Sequence, residues 1–444
     1  MTRGFRIGVG AGFEGDRFDP AERLVAEGHL DSLVFECLAE RTIALAHESR
    51  ASGAGPGFDP RILRRMRGTL AGATQQGISL LTNAGAANPE GAAAAVVEIA
   101  DALGLGGVRV AAVTGEDVLN QLDPAAELWG TDQTVADLGD RLVSANAYAG
   151  VSGLLAALDL GASVVVAGRV GDAALFAAPL LHHFGWSADD LDRMADVTLV
   201  GHLLECGGQL SGGYFADGER KRVEGLATLG FPYADVDADG SAVYGKVPGT
   251  GGLISRETVL EQLLYEIDDP TAYHTPDVTL DMSRVRITGL YTDRVQVSGA
   301  RPTGRPEKLK VSLGVRDGYL AVGEIIYAGR GALTRARMAA DIIRERWQVV
   351  HGRDSDDVRC DFVGYNSVRS WHEPNTEPPE VRARFTTRTF DPVVARTLTE
   401  ETEALYTNGP YGGGGVTTSV RSSIGIMSTL IDRDAVTPKA VMVR

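Results

Sequence analysis

The segment HLLECGGQLSGGYFAD, residues 202–217, gathers more reactive side chains than any other stretch of the 444-residue chain. Glu205 is a candidate general base, because a partly buried carboxylate holds its proton toward neutral pH. Cys206 follows it directly and could act as a nucleophile with His202 as its base, although a free cysteine is commonly a buried, inert side chain. Gly207, Gly208 and Gln209 come next. Glycines let main-chain N–H groups approach a ligand oxygen closely enough to stabilise developing negative charge.

Further glycine-rich turns carry groups of the same kind: GAGFEGDR (10–17), TNAGAANP (82–89) and GRVGD (168–172). In GRVGD, Arg169 and Asp172 emerge together after an apolar run. The planar guanidinium suits a bidentate carboxylate and Asp172 could orient it or serve as a base, while a purely structural ion pair explains both equally well. TNAGAANP places Asn83 and Asn88 at the head of a helix, where free N–H groups and the macrodipole favour an anion. Asn88 before Pro89 also reads as that helix's cap. In GAGFEGDR, Gly10, Gly12 and Gly15 satisfy G-x-G-x-x-G, yet Glu14 would face a pyrophosphate. A tight turn with Asp16 as N-cap, or Glu14 and Asp16 as polar site groups beside Arg17, is the better reading. The eight histidines show no metal-ligand spacing, so no metal site is expected. DVDADG (235–240) resembles a calcium loop only faintly, since Lys246 stands where the glutamate belongs, and it reads as a hairpin turn.

Elements that would position these groups are legible upstream. FRIGVG, DSLVFE, ISLLTN, VRVAAV and SVVVAG read as strands alternating with helices at 20–26, 39–48, 89–103 and 144–160, the pattern of βαβ units. In an open parallel sheet ligands sit beyond the carboxyl ends of the strands. Glu14, Asp16, Arg17, Glu36, Cys37, Asn83, Asn88, Arg169 and Asp172 are therefore expected on one rim. From residue 283, RVRIT, DRVQVSG, KLKVSLG and YLAVGEIIYAG alternate polar and apolar residues as an antiparallel meander would, followed by helices at 333–348 and 391–405 and strands at 358–365 and 380–387. HEPNTEPPE (372–380) reads as a proline-rich loop. The fold class expected is α/β: a Rossmann-like, mostly parallel sheet flanked by helices over 1–280, then an α+β domain with antiparallel strands over 281–444.

Composition narrows the partners. A formal net charge of −16 repels phosphate backbones and anionic membranes, so no nucleic acid and no membrane partner is expected. Cys37, Cys206 and Cys360 are far apart and lack CxxC spacing, which fits a reducing cytoplasm. The opening MTRGFRIGVG leads straight into a strand with no apolar signal region, so secretion is not expected.

Taken in order, GAGFEGDR, LVFECLAE, TNAGAANPEGAA, GRVGDAALFAAPLLHHFGW, GHLLECGGQLSGGYFAD and NGPYGGGG resemble the acyclic terpene utilisation A (AtuA) family, formerly a domain of unknown function, over nearly the whole chain. The family name comes from bacterial degradation of citronellol and geraniol through branched acyl-CoA intermediates, and the resemblance implies a substrate of that class. It transfers no catalytic residues. Ala86 stands where glycine is more usual, as does Gly171 where other small or polar residues are common. A second small C-terminal module found in many relatives is expected to be missing or supplied separately.

Residues and resemblance together point to an enzyme acting on a small branched carboxylic acid or its coenzyme A thioester, with no cofactor required. The chemistry expected is of the lyase or hydratase type. Glu205 or Asp172 would remove a proton next to a carbonyl, and Arg169 and the Asn83 loop would hold the carboxylate. The 205–213 glycine loop would stabilise the enolate oxygen, while Asp16 and Glu36 would position a hydroxyl or a water. One alternative is a hydrolase or acyl-transfer enzyme using Cys206; another is a non-catalytic acyl-binding or scaffold subunit of a catabolic complex. A homo-oligomer, most simply a dimer, is expected in either case.

Overall fold

The computed structural model describes residues 4–368 and 378–444. Most of the proline-rich loop expected at 372–380 lies outside the described residues. Strand β1 (Phe5–Ala11) runs through the GAGFEGDR turn into α1 (Asp19–Glu27), where Pro20 occupies the first turn and its missing N–H is harmless. β2 (Ser32–Phe35), α2 (Glu40–Ala51), α3 (Ile62–Gln76), β3 (Ser79–Thr82) and α4 (Pro89–Ala102) follow. Asn88 caps α4, its side chain accepting from the Gly91 N–H at 3.1 Å. Next come β4 (Val110–Thr114), β5 (Leu142–Ala147), α5 (Ser152–Asp159), β6 (Val164–Ala167) and the apolar helices α6 (Ala174–Phe184) and α7 (Leu191–Leu204). The hairpin of β7 (Pro232–Val236) and β8 (Ala242–Lys246) turns at DVDADG as expected. After α8 (Arg256–Leu263) the strands β9 (Tyr273–His274), β10 (Thr279–Asp281), β11 (Arg286–Tyr291), β12 (Arg294–Ser298) and β13 (Arg301–Gly304) are short, and β14 (Lys308–Ala328) is long. α9 (Ala332–Val349), β15 (Arg359–Val363), β16 (Glu380–Thr389), α10 (Pro392–Asn408), β17 (Gly413–Asp432) and β18 (Lys439–Met442) complete the order.

The chain forms two compact units, one running through Gly314 and joined by Ile426–Arg444, the other Val315–Gly425. β11, β12 and β13 belong to the first, downstream of the domain boundary expected at residue 281. In that unit β1, β2, β3, β6 and β4 lie side by side and parallel. SLVF and VVVA are buried at every position because both faces are covered. Alternate residues serve opposite faces: Val9, Val34, Leu81 and Val165 join the core with α5–α7, while Leu33, Leu80, Val164 and Val166 join the one with α1, α3 and α4. Antiparallel strands extend this sheet to ten, with β7, β8, β12 and β11 beyond β1 and β18 beyond β4. Among the described residues no helix is long and apolar enough to cross a membrane.

Three local expectations are corrected. The helix expected at 144–160 begins only at Ser152. Ser144 and Asn146 lie buried in β5, which pairs with β14. KLKVSLG and YLAVGEIIYAG are two halves of the single strand β14, and β11 and β12 join the large sheet through β8 rather than forming a meander with it. Asp16 does not cap α1, whose N-cap is Phe18; its carboxylate closes the preceding turn by accepting from the Gly12 and Arg17 N–H groups.

The Val315–Gly425 unit has the order strand, helix, strand, strand, helix, strand, with spatial order β15-β16-β14-β17. This is the split βαβ arrangement. Val381, Ala383 and Phe385 of β16 pack against α9 and α10 around Trp347 and Leu398. The opposite face carries charged and hydroxylated side chains.

Candidate functional site

Two neighbouring cavities, of about 680 and 690 Å3, open where the β1, β2 and β6 loops meet the end of α7. Both are lined by Glu40, Tyr148, Asp172, Glu205, Tyr265 and Glu266, so these residues form a shared wall. The first cavity continues past Tyr273, Ile267, Leu309 and Leu430, with Lys308 and Lys310 among its walls. The second is bounded by Asp16, Glu36, Cys206, Gly208 and Gln209, with Glu14 and Arg17 among its lining residues. Phe13 and Tyr214 line it too, 57% and 85% exposed, and Tyr214 holds a left-handed φ of 66° that an L-residue adopts only under constraint.

Arg169 is fully buried and already surrounded. Its Nη2 donates to Asp172, its Nη1 to the Leu38 carbonyl, and its plane lies 4.1 Å from the Tyr148 ring. Asn83 is likewise committed: its carbonyl oxygen accepts from the Cys37 N–H at 2.7 Å and its amide donates to Glu36 at 2.8 Å. Arg169 lines the second cavity and keeps its Nε without a hydrogen-bond partner among the described residues. Both side chains also hold the acids in place. Burial, with Glu205 and Glu40 adding their charge against Arg169, pushes Asp172 up to about 7. Burial and Asp172 also hold Glu36 well above the ordinary carboxylate range. Glu40 goes the other way: burial opposes it, but the Tyr148 hydroxyl, Lys310 and Arg169 hold it down at about 2.

Glu205 ends α7, one turn after His202. The His202 Nε2 lies 3.1 Å from the Leu263 carbonyl, which can only accept, so Nε2 carries a proton. Nδ1 lies 3.1 Å from Glu205 Oε1. Burial disfavours a charged imidazole here, yet the hydrogen bond and charge of Glu205 outweigh it and raise His202 above its ordinary range. Both ring nitrogens are thus occupied, and His202 cannot serve Cys206. Burial and Glu205 push the Cys206 thiol up, the opposite of activation. Glu205 Oε2 remains: it is buried, without a hydrogen-bond partner among the described residues, on a residue that lines both cavities.

The other sequence candidates fall around this centre. Arg17 donates to the Leu226 carbonyl at 2.7 Å, and Glu14 lies 3.7 Å from Arg61. Gly207 packs against the Gly12 backbone. Asn88 stands apart, beside a smaller recess of about 220 Å3 with His47 and Glu116. Ala86, the departure from glycine, has a left-handed φ of 45°. Among the described residues no group of three or more His, Cys, Asp or Glu could hold a metal ion. Sequence reasoning did not single out Tyr148, Glu40 or Lys310. Glu40 ends LVFECLAE and Tyr148 follows β5, but only the fold brings either to Arg169. No curated protein and no solved structure matches the chain. The family described as acyclic terpene utilisation family protein AtuA matches residues 5–442, almost the full length, and the chain therefore belongs to the AtuA family, which suggests a role in terpene utilisation.

Proposed function

We propose that the chain is an enzyme that adds or removes water, or an equivalent leaving group, next to the carbonyl of a small branched acid or its acyl thioester. The observation that carries this reading is the divided carboxylate of Glu205, with one oxygen anchored by His202 and the other unpartnered at the wall between two cavities. Glu205 Oε2 takes the proton from the carbon next to the carbonyl. The enolate oxygen faces the main chain of the 207–209 turn. Asp172, held near 7, gives its proton to the departing hydroxyl, which leaves as water. Two carboxylates whose surroundings set them to opposite roles are a recurring acid–base device. The branched chain lies in the first cavity against Tyr273, Ile267 and Leu309.

The test is solvent exchange. Incubated in D2O with a branched acyl-CoA or the free acid, the wild-type chain should place deuterium on the carbon next to the carbonyl, and Glu205→Gln should not. Saturable binding with no exchange by either chain would overturn the reading in favour of an acyl-binding subunit. Exchange that survives Glu205→Gln would move the base elsewhere.

A further inference from the structure

The open sheet face of the Val315–Gly425 unit has chemistry of its own. Residues paired across neighbouring strands point to the same side, so the register decides which side chains meet. Arg359 stands opposite Thr386, Asp361 opposite Arg384, and Arg384 opposite Glu324. Thr417 of β17 reaches the same carboxylate, donating to Glu324 Oε2 at 3.2 Å. Together with Thr418, Ser419 and Arg421 they line a shallow depression of about 590 Å3.

Two guanidiniums in it are held side-on. Arg384 donates from Nε to Glu324 at 2.6 Å, and Arg359 donates from Nε to both Asp361 oxygens at 3.0 and 3.1 Å. The carboxylates are the recessed partners, with Glu324 and Asp361 13% and 17% exposed against 39% and 71% for the arginines. Among the described residues neither arginine makes a further hydrogen bond through Nη1 or Nη2. An acid that fixes Nε orients the guanidinium and leaves its outer edge, with two N–H donors, facing outward. That edge matches the oxygen spacing of a phosphate. Thr386 and Ser419 add hydroxyl donors to the same depression, whereas the Thr417 and Thr418 hydroxyls are given to Glu324 and Glu403. Among the described residues no aromatic side chain lines it, and these supply no stacking surface of the kind a nucleobase needs.

We propose that this face binds a small phosphate-class oxyanion, held through the outer edges of Arg359 and Arg384 with the Thr386 and Ser419 hydroxyls completing its shell. The site is independent of the acid–base centre. The experiment is isothermal titration of the full chain with pyrophosphate at low ionic strength, with inorganic phosphate and glycerol phosphate titrated in parallel. One saturable site is expected, weakened by added salt. Arg384→Gln and Arg359→Gln should each lower its affinity at least tenfold, and Arg384→Lys, which keeps the charge without the fork, should lower it as well. Equal affinity for phosphate and glycerol phosphate identifies the free anion as the ligand, and tighter binding of the ester identifies a phosphorylated metabolite. Arg359 is mostly exposed, so its variant keeps the test valid even if Arg384→Gln fails to fold. Absence of saturable heat at millimolar pyrophosphate, or affinity unchanged in both glutamine variants, overturns the proposal. Self-association lost in those variants, without anion binding, would assign the face to a second copy of the chain and overturn it equally.

Discussion

Glu205 owes its suitability as a base to the unequal fates of its two oxygens, and that inequality depends on one imidazole. Because the Leu263 carbonyl accepts from the Nε2 N–H, His202 can only turn Nδ1 toward Glu205, which fixes the carboxylate's rotation. Glu205→Gln should lower kcat by about 10²–10⁴, the usual contribution of a positioned proton-transfer group, with KM little changed. His202→Asn should cost less, because the base survives and loses only the partner that fixes its rotation. Asp172 sets the pH dependence. As the acid, with its proton leaving near 7, it should make kcat/KM fall above about that pH, and Asp172→Asn should abolish this fall together with most of the rate. Cys206→Ser should retain full activity, since the thiol is held protonated and has no base. A large loss in that variant would restore the nucleophile reading. A pH–rate profile of the four variants beside the wild type checks all of these outcomes.

At the scale of elements, the turns matter through close approach of backbone to backbone. A Cβ on Gly12 would lie 2.4 Å from the Cys206 carbonyl carbon and 2.6 Å from the Gly207 nitrogen, and neither can swing aside. A Cβ on Gly15 would meet only the ring edge of Phe13, an exposed side chain that can rotate away. Gly12→Ala should therefore destabilise the chain by about 1–3 kcal/mol, the usual range for forced overpacking, and Gly15→Ala by less than about 0.5 kcal/mol. Denaturant melts of the pair check this contrast, which a general intolerance of the turn would not produce. The same scale explains what could be read in advance. The five parallel strands were legible because strands buried on both faces are unbroken apolar runs. In the sequence His202 reads instead as a base for Cys206, and its pairing with Glu205 one helical turn away appears only in the fold. α3 escaped because ILRRMRGTLAGATQQ mixes arginine, glycine and threonine into its apolar stripe. The commitment of Arg169 to Leu38, Tyr148 and Asp172 escaped because two of those partners are distant in sequence, and no local pattern encodes a long-range contact.

The molecule as a whole carries an unusual store of protons for a chain with a net charge of −16. Burial raises Glu116 to about 8, Asp172 to about 7, and Asp196 and Asp277 to about 6, and it raises Glu36 as well. An acid whose folded pKa lies above its unfolded value binds more protons in the native state, so its stabilising contribution is complete below the unfolded value and is lost as pH rises through the folded one. His202, also raised, contributes with the same sign. His47, lowered mainly by burial, opposes them below about pH 6.5, its unperturbed value, and Glu40 opposes them only in strong acid. Each proton of difference changes stability by about 1.4 kcal/mol per pH unit. The melting temperature should therefore fall as pH rises from about 6 to 8, by several degrees for a loss of a few kcal/mol. Glu116 isolates the effect, because its carboxylate packs against Gly168, where a Cβ would sit 1.7 Å from Oε1. Glu116→Gln removes that ionisation and should raise the melting temperature at pH 8, while leaving it nearly unchanged at pH 4. Calorimetric scans of wild type and variant across this range decide the matter. A wild-type curve that is flat or rising toward pH 8, or a variant that melts lower there, would mean that the buried acids are satisfied as carboxylates and that the proton store does not exist.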